Sequence, residues 1–105
     1  MKKKGIVYLI CDGEKFKIGV TTKTLEKRLR ELQTGNPYEL FVSNYYETDT
    51  PFKLETMLHN RYFNTNVKNE WFDVTAHDVA HFHKICGHYQ EIIDSLQDNI
   101  FFKNV

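Results

Sequence analysis

Gly5-Ile6-Val7-Tyr8-Leu9-Ile10, then Asp12-Gly13, then Phe16-Lys17-Ile18-Gly19 is the stretch whose reading decides the fold. Two apolar runs of strand length meet at an Asp-Gly dipeptide, a strong hairpin signal because a type I′ turn needs positive φ at both central residues. Taking Asp12-Gly13 as a two-residue loop sets Cys11 against Glu14, Leu9 against Phe16, Tyr8 against Lys17 and Ile6 against Gly19. Alternate residues of a strand point to opposite faces. Val7, Leu9, Phe16 and Ile18 then share a core face, while Tyr8 and Lys17 sit together on the other. An ammonium beside a phenol favours the phenolate, which lowers a reference pKa of about 10.

Downstream, the period changes from strand to helix. A helix is predicted over about 24–34, with Thr24 as N-cap, Gly35 as the stop and Pro37 beyond it. Leu25, Leu29 and Leu32 form its apolar stripe; Arg28 flanks that stripe, and Lys27 and Arg30 point away from it. Tyr38 to Tyr46 is β-rich and bounded by turn residues, which predicts a third strand. A second helix is expected from about Pro51 to Phe63, with Thr50 or Asp49 as N-cap and Pro51 at its first position. Phe52, Leu58, Tyr62 and Phe63 define its inward face, and Glu55 and His59 fall inside that face. A carboxylate among apolar side chains is costly unless it is paired, protonated or bound to a metal. For Glu55 the choice lies between a metal ion and a buried ion pair with Arg28. For His59 a satisfied core histidine and a direct role in phosphate or DNA contact stand equally open.

Residues 64–74 read as a connector ending in Glu70-Trp71-Phe72-Asp73, in which Trp71 and Phe72 close the core. From about Thr75 to Asn99 the helical period returns. Val79, Phe82, Ile85, Cys86, Tyr89, Ile92, Ile93 and Leu96 lie on one side, and Gly87 is the candidate interruption. His77, His81 and His88 lie opposite. Two exposed imidazoles without a third fixed ligand make a polar face, not a zinc site.

Length and charge bound the remaining choices. The 105 residues support one domain, with a core over about 5–74 and a C-terminal amphipathic helix over about 75–99. Eight Phe, six Tyr and one Trp argue for a packed core and against disorder. The expected fold class is α/β of the α+β kind, a three-stranded antiparallel sheet flanked by helices. Cys11 and Cys86 are too few and too far apart for a disulfide framework or a Cys-based zinc site. The apolar run after Met1-Lys2-Lys3-Lys4 is too short for a signal peptide or a membrane span, so an intracellular protein without membrane contact is expected. The formal net charge is zero. Most of the lysines and arginines nevertheless fall in residues 1–30, which leaves the remainder acidic and predicts one basic surface. Lys23, Lys27 and Arg30 lie on it.

The hairpin resembles the motif of the GIY-YIG nuclease superfamily, with Ile6-Val7-Tyr8 and Lys17-Ile18-Gly19 in the places of its two triplets. Thr21-Thr22-Lys23-Thr24-Leu25-Glu26-Lys27-Arg28 is similar to the segment carrying the superfamily's essential arginine. Leu54-Glu55-Thr56-Met57-Leu58-His59 is similar to the segment of its metal-binding glutamate, and Asn69-Glu70-Trp71-Phe72 to the closing motif of a small phage- and virus-type branch. Two departures stand out: Ile6 holds the place of the first glycine, and Lys17 that of the second triplet's tyrosine.

The resemblance implies metal-dependent hydrolysis of DNA. Glu55 would hold Mg²⁺ or Mn²⁺, a hard ion that keeps several waters and so needs few protein ligands. Arg28 would clamp the phosphate through its planar fork, and Tyr8 would orient or deprotonate the attacking water, with Lys17 beside it. Lys23, Lys27, Arg30 and His59 would contact the DNA backbone. So small a domain is expected to act as a homodimer or with a targeting partner. The competing expectation is a catalytically silent DNA- or protein-binding module that retains the fold.

Overall fold

The computed structural model describes residues 4–97; Lys2 and Lys3 of the basic terminus, and Asp98 and Asn99 at the end of the expected last helix, lie outside them. The elements in chain order are β1 (Gly5–Cys11), β2 (Phe16–Thr21), α1 (Leu25–Gln33), β3 (Phe41–Thr48), α2 (Pro51–Arg61), β4 (Asn66–Lys68), β5 (Trp71–Phe72), α3 (Ala76–Ala80) and α4 (Phe82–Gln97). The fold is α+β, and its sheet is antiparallel throughout, in the order β3-β1-β2-β5-β4.

That sheet has five strands where the sequence predicts three. The extra pair arises inside the expected connector, where Asn69 turns the chain with φ of 54° between β4 and β5. Elements of two or three residues carry no period for a pattern to reveal.

The hairpin differs too. Cys11 faces Phe16, Leu9 faces Ile18 and Tyr8 faces Gly19, so the loop runs from Asp12 to Lys15. Asp12 explains the longer loop: its Oδ1 accepts from the backbone N–H of Glu14 (2.9 Å) and of Lys15 (2.7 Å). Such a side chain caps the turn from within and competes with the tighter two-residue form. Gly13, at φ of 105°, takes the backbone conformation a side chain would strain. The shift is by two residues, so every side chain keeps its expected face. The direct pairing of Tyr8 with Lys17 is lost: Lys17 stands opposite Ile10.

β1 is central and buried on both faces, which is why it reads as an almost continuous apolar run. On one side Val7, Leu9 and Ile18 meet Leu54, Leu58 and Tyr62 of α2 and its cap, and Phe82, Cys86 and Ile93 of α4. On the other, Tyr8, Ile10 and Leu40 are covered by Leu25, Leu29 and Leu32 of α1. Helix α1 is as expected, with the Thr24 hydroxyl accepting from the Lys27 N–H. In α2 the inward face is rotated from the expected one. Leu58 and Tyr62 are buried as expected, but Phe52 and Phe63 are 62% and 73% exposed and Leu54 is buried in their place. The expected single C-terminal helix breaks at His81, which caps α3, and Gly87 lies inside an unbroken α4. No helix among the described residues is long and apolar enough to cross a membrane.

Polar contacts fix α3 and α4 onto this frame. Gln90 accepts from the Thr48 hydroxyl and donates to that of Thr50 (3.0 Å), which pins α4 to the corner between β3 and α2. Asn44 donates to the Val79 carbonyl at 3.0 Å, and the Tyr62 hydroxyl donates to Asp78 at 2.7 Å.

Two expectations follow. A Cβ at Gly19 would overlap the phenol of Tyr8. Gly19→Ala should therefore cost about 1–3 kcal/mol in urea denaturation, whereas at an uncrowded strand position alanine would gain stability over glycine. Burial and the Asp78 contact raise the Tyr62 pKa from 10.0 to about 12. Because the folded value is the higher one, this contribution is present below the ordinary pKa and is lost as pH rises through the folded one. Between pH 10 and 12 the denaturation midpoint should fall more steeply in the wild type than in Tyr62→Phe.

Candidate nuclease-type site at the edge of β2

Tyr8 and Gly19 are cross-strand partners, and the absence of a side chain on Gly19 gives the Tyr8 ring room to lie across β2. The ring is fully buried. Its hydroxyl accepts a hydrogen bond from Arg28 Nε at 3.3 Å. Arg28 is carried by α1, where the Leu25-Leu29-Leu32 stripe that packs on the sheet leaves it at the edge of the interface. Its Nη1 lies 3.4 Å from Glu31, and Glu31 also pairs with Lys23 at 2.7 Å. Sequence reasoning alone does not single out Glu31, although its place three residues after Arg28 is a helical contact spacing.

Burial raises the Tyr8 pKa. The Arg28 hydrogen bond and charge oppose that shift, and the charges of Glu70 and Glu55 add to it. This corrects the expected effect of Lys17. The cation touching the phenol is Arg28, and desolvation outweighs it, so Tyr8 is a neutral phenol near neutrality.

The second half of the site approaches β2 from α2 and from the β4–β5 turn. Glu55 and His59 lie one helical turn apart beside the buried Leu54 and Leu58. They are half-buried, with Nε2 of His59 4.0 Å from Glu55 Oε2. The same Nε2 lies 2.8 Å from the Ile18 carbonyl oxygen, which can only accept, so that nitrogen carries the proton. Glu70, held on the turn, pairs with Lys17 at 2.9 Å, and the Lys17 ammonium lies 5.7 Å from the centre of the Trp71 ring.

Glu55, His59 and Glu70 each bring one ligand-type atom to within 4.8 Å of the others. This nitrogen-and-oxygen set suits a divalent cation. Burial raises the Glu55 pKa most; Glu70 adds to the rise, and His59 and Lys17 oppose it. Arg28 pairs with Glu31 and Tyr8, so the expected alternative of a Glu55–Arg28 ion pair gives way to the cluster with His59.

Lys23, Lys27 and Arg30 are exposed on and before α1, with Lys23 tied to Glu31. His77 and His81 stack with ring centres 4.2 Å apart, and the His81 Nδ1–H donates to the His77 carbonyl. Clefts of about 470 and 450 Å³ are lined by Arg61, His77, Asp78, His81, Lys84, Ile85 and His88, and by Lys53, Thr56, Met57, Ile93, Leu96 and Gln97. Neither includes the Tyr8 or Glu55 groups. Those groups are gathered beside the stretch of β2 that β5 leaves uncovered, and Arg28, Glu55 and Glu70 are all partly exposed there.

Comparisons with curated proteins and with solved structures returned no match. The sequence profile of the T5orf172 domain matches residues 5–87. That span holds Tyr8, Lys17, Gly19, Arg28, Glu55, His59 and Glu70 in one frame. The chain therefore belongs to the T5orf172 domain family, a phage domain family related to the GIY-YIG nucleases.

Proposed function

We propose that this protein is a metal-dependent endonuclease that hydrolyses DNA phosphodiester bonds. The observation that carries this reading is the approach of two groups to neighbouring residues of β2: at Gly19 a buried phenol bound to a guanidinium, and at Ile18 a half-buried glutamate with a histidine and a second carboxylate. Family membership supports it.

Phosphodiester hydrolysis needs an activated water, stabilisation of charge on the phosphate and help for the leaving oxygen. Arg28 is partly exposed, with Nε held by Tyr8 and Nη1 beside Glu31, so the plane of its fork is set before a phosphate arrives. Tyr8, a neutral phenol, holds that fork and keeps its hydroxyl hydrogen to donate. Burial disfavours its phenolate, which supports a positioning role over that of a base. Glu55 would hold Mg²⁺ or Mn²⁺, and such an ion supplies charge neutralisation and a water of lowered pKa. The exposed Lys27 and Arg30 would contact backbone phosphates beside the site, with Lys23 exchanging Glu31 for a phosphate. His59, whose proton is engaged by Ile18, serves the DNA by fixing the β2 edge.

A catalytically silent DNA- or protein-binding module is the second reading. The observation favouring it is the Lys17–Glu70 ion pair, which neutralises one carboxylate of the site.

Mg²⁺-dependent cleavage of duplex, branched and single-stranded DNA tests the choice. Glu55→Gln should reduce cleavage by about 100-fold or more while the protein still melts cooperatively. Cleavage by the wild type that proceeds equally in chelator would overturn the metal-dependent reading, and a wild type that binds DNA without cutting it would select the silent module.

Arg28 and Arg30 should separate by kinetics. Arg28→Lys keeps the charge but loses the fork, so kcat should fall about 100-fold with little change in affinity. Arg30→Ala should leave kcat near wild type, weaken DNA binding a few-fold and lower the salt slope by about one. Titration of DNA binding against salt, beside single-turnover rates, measures both effects. A reversed pattern would remove Arg28 from the proposed machinery.

A further inference from the structure

We propose that Glu70 is a second cation ligand beside Glu55, with His59 as third donor, and that Lys17 is the internal counter-ion the arriving cation displaces. This rests on the reading of Glu55 as the residue that holds the ion.

The site is templated by a single residue of β2. The Ile18 N–H donates to the Glu70 carbonyl at 3.1 Å, and the Ile18 carbonyl accepts from His59 Nε2 at 2.8 Å. One residue of the β2 edge thus fixes the backbone of Glu70 and the ring of His59. Asn69, in the left-handed region at φ of 54°, turns the chain so that Glu70 follows directly onto that edge. The ligand-type atoms of Glu55, His59 and Glu70 then fall within 4.8 Å of one another, although they come from a helix and from a turn beyond it.

Two carboxylates held this close repel when ionised. Lys17 supplies part of the missing positive charge. Its ammonium sits 2.9 Å from Glu70 with the side chain only 14% exposed. A single ammonium balances one carboxylate, whereas a divalent cation balances both. From the same position its ammonium also lies 5.7 Å from the centre of the Trp71 ring, within range of a cation–π contact that does not depend on Glu70. The flexible lysine stem can therefore release Glu70 without stranding its charge. With its Nε2–H kept on the Ile18 carbonyl, the imidazole offers the ion its Nδ1 lone pair, and metal-bound histidines commonly donate their other N–H to a carbonyl in this way. A set of two oxygens and one nitrogen suits Mn²⁺ better than Mg²⁺, which prefers oxygen ligands and water.

Isothermal titration with MnCl₂ and with MgCl₂, without DNA, tests the arrangement on the wild type and on Glu55→Gln, Glu70→Gln and Lys17→Met. Circular dichroism of each variant confirms its fold, and Glu70→Asp serves as the conservative second variant, keeping a carboxylate with a shorter reach. Mn²⁺ should bind the wild type more tightly than Mg²⁺. Glu70→Gln should weaken Mn²⁺ binding by at least about tenfold, the lower end of what even an outer-shell partner costs, and Glu70→Asp should fall between it and the wild type. Lys17→Met should strengthen binding several-fold, because the ion no longer competes with the ammonium.

Loss of binding in Glu55→Gln with Glu70→Gln within twofold of the wild type would overturn the second ligand and leave the Glu55 reading standing. Unchanged binding in both variants would overturn the two together. Weaker binding in Lys17→Met would overturn the counter-ion role.

Discussion

The phenol of Tyr8 is buried in the middle of the sheet with its hydroxyl on a guanidinium, and much of the arrangement around β2 depends on that contact. A phenol loses hydration when buried and needs a partner for its oxygen. Arg28 supplies the partner, and it can reach Tyr8 only because α1 is held on that face by its leucine stripe. The ring in turn needs space across the strand pair, which Gly19 gives by having no side chain. Apolar packing, a missing Cβ and one charged hydrogen bond thus fix the same few ångströms.

Electrostatics divide the site into two differently charged halves. On the α1 face the Arg28 guanidinium meets a neutral phenol and shares Glu31 with Lys23, a cationic arrangement suited to a phosphate. On the α2 face the carboxylates of Glu55 and Glu70 meet one ammonium and an imidazole whose nearer nitrogen is bonded to the sheet. The halves are close enough for Tyr8 to sense both carboxylates. Under the proposed function a phosphodiester would bridge them, its charge meeting the guanidinium on one side and a cation that the carboxylates would hold on the other.

The sequence shows the faces of this structure more clearly than its registers. Strand alternation is robust to a shift of two residues, so the pattern places Val7, Leu9 and Ile18 in the core and Tyr8 on the other face even with the loop two residues too short. The neighbours of Tyr8 do not survive that shift, since they depend on the register that Asp12 sets through its side chain. Around α2 the phenyl rings of Phe52 and of Phe63, which lies beyond the helix end, pull the expected inward face toward them, whereas the smaller Leu54 takes that place in the fold. Glu55, inside the expected face, lies at the boundary of the observed one, partly exposed beside the buried Leu54 and Leu58. Glu70 is legible only as part of a motif, because its role comes from a two-strand turn too short to leave a pattern and from a partner, Lys17, far from it in the chain.

The position of the site follows from where the sheet stops being paired. β5 covers β2 only at Phe16 and Lys17, and the Glu70 carbonyl extends that contact by one hydrogen bond to Ile18. Beyond it the edge of β2 is left without a strand on that side among the described residues. Unpaired backbone at a strand edge invites association with another chain unless it is shortened, charged or covered. Here His59 satisfies the Ile18 carbonyl, while Lys17 and Glu70 place charge at the boundary. The groups that protect the edge are also the groups with chemical reach. Polar side chains are required there by the sheet itself, and the same opening that makes them necessary gives a bulky substrate access to them.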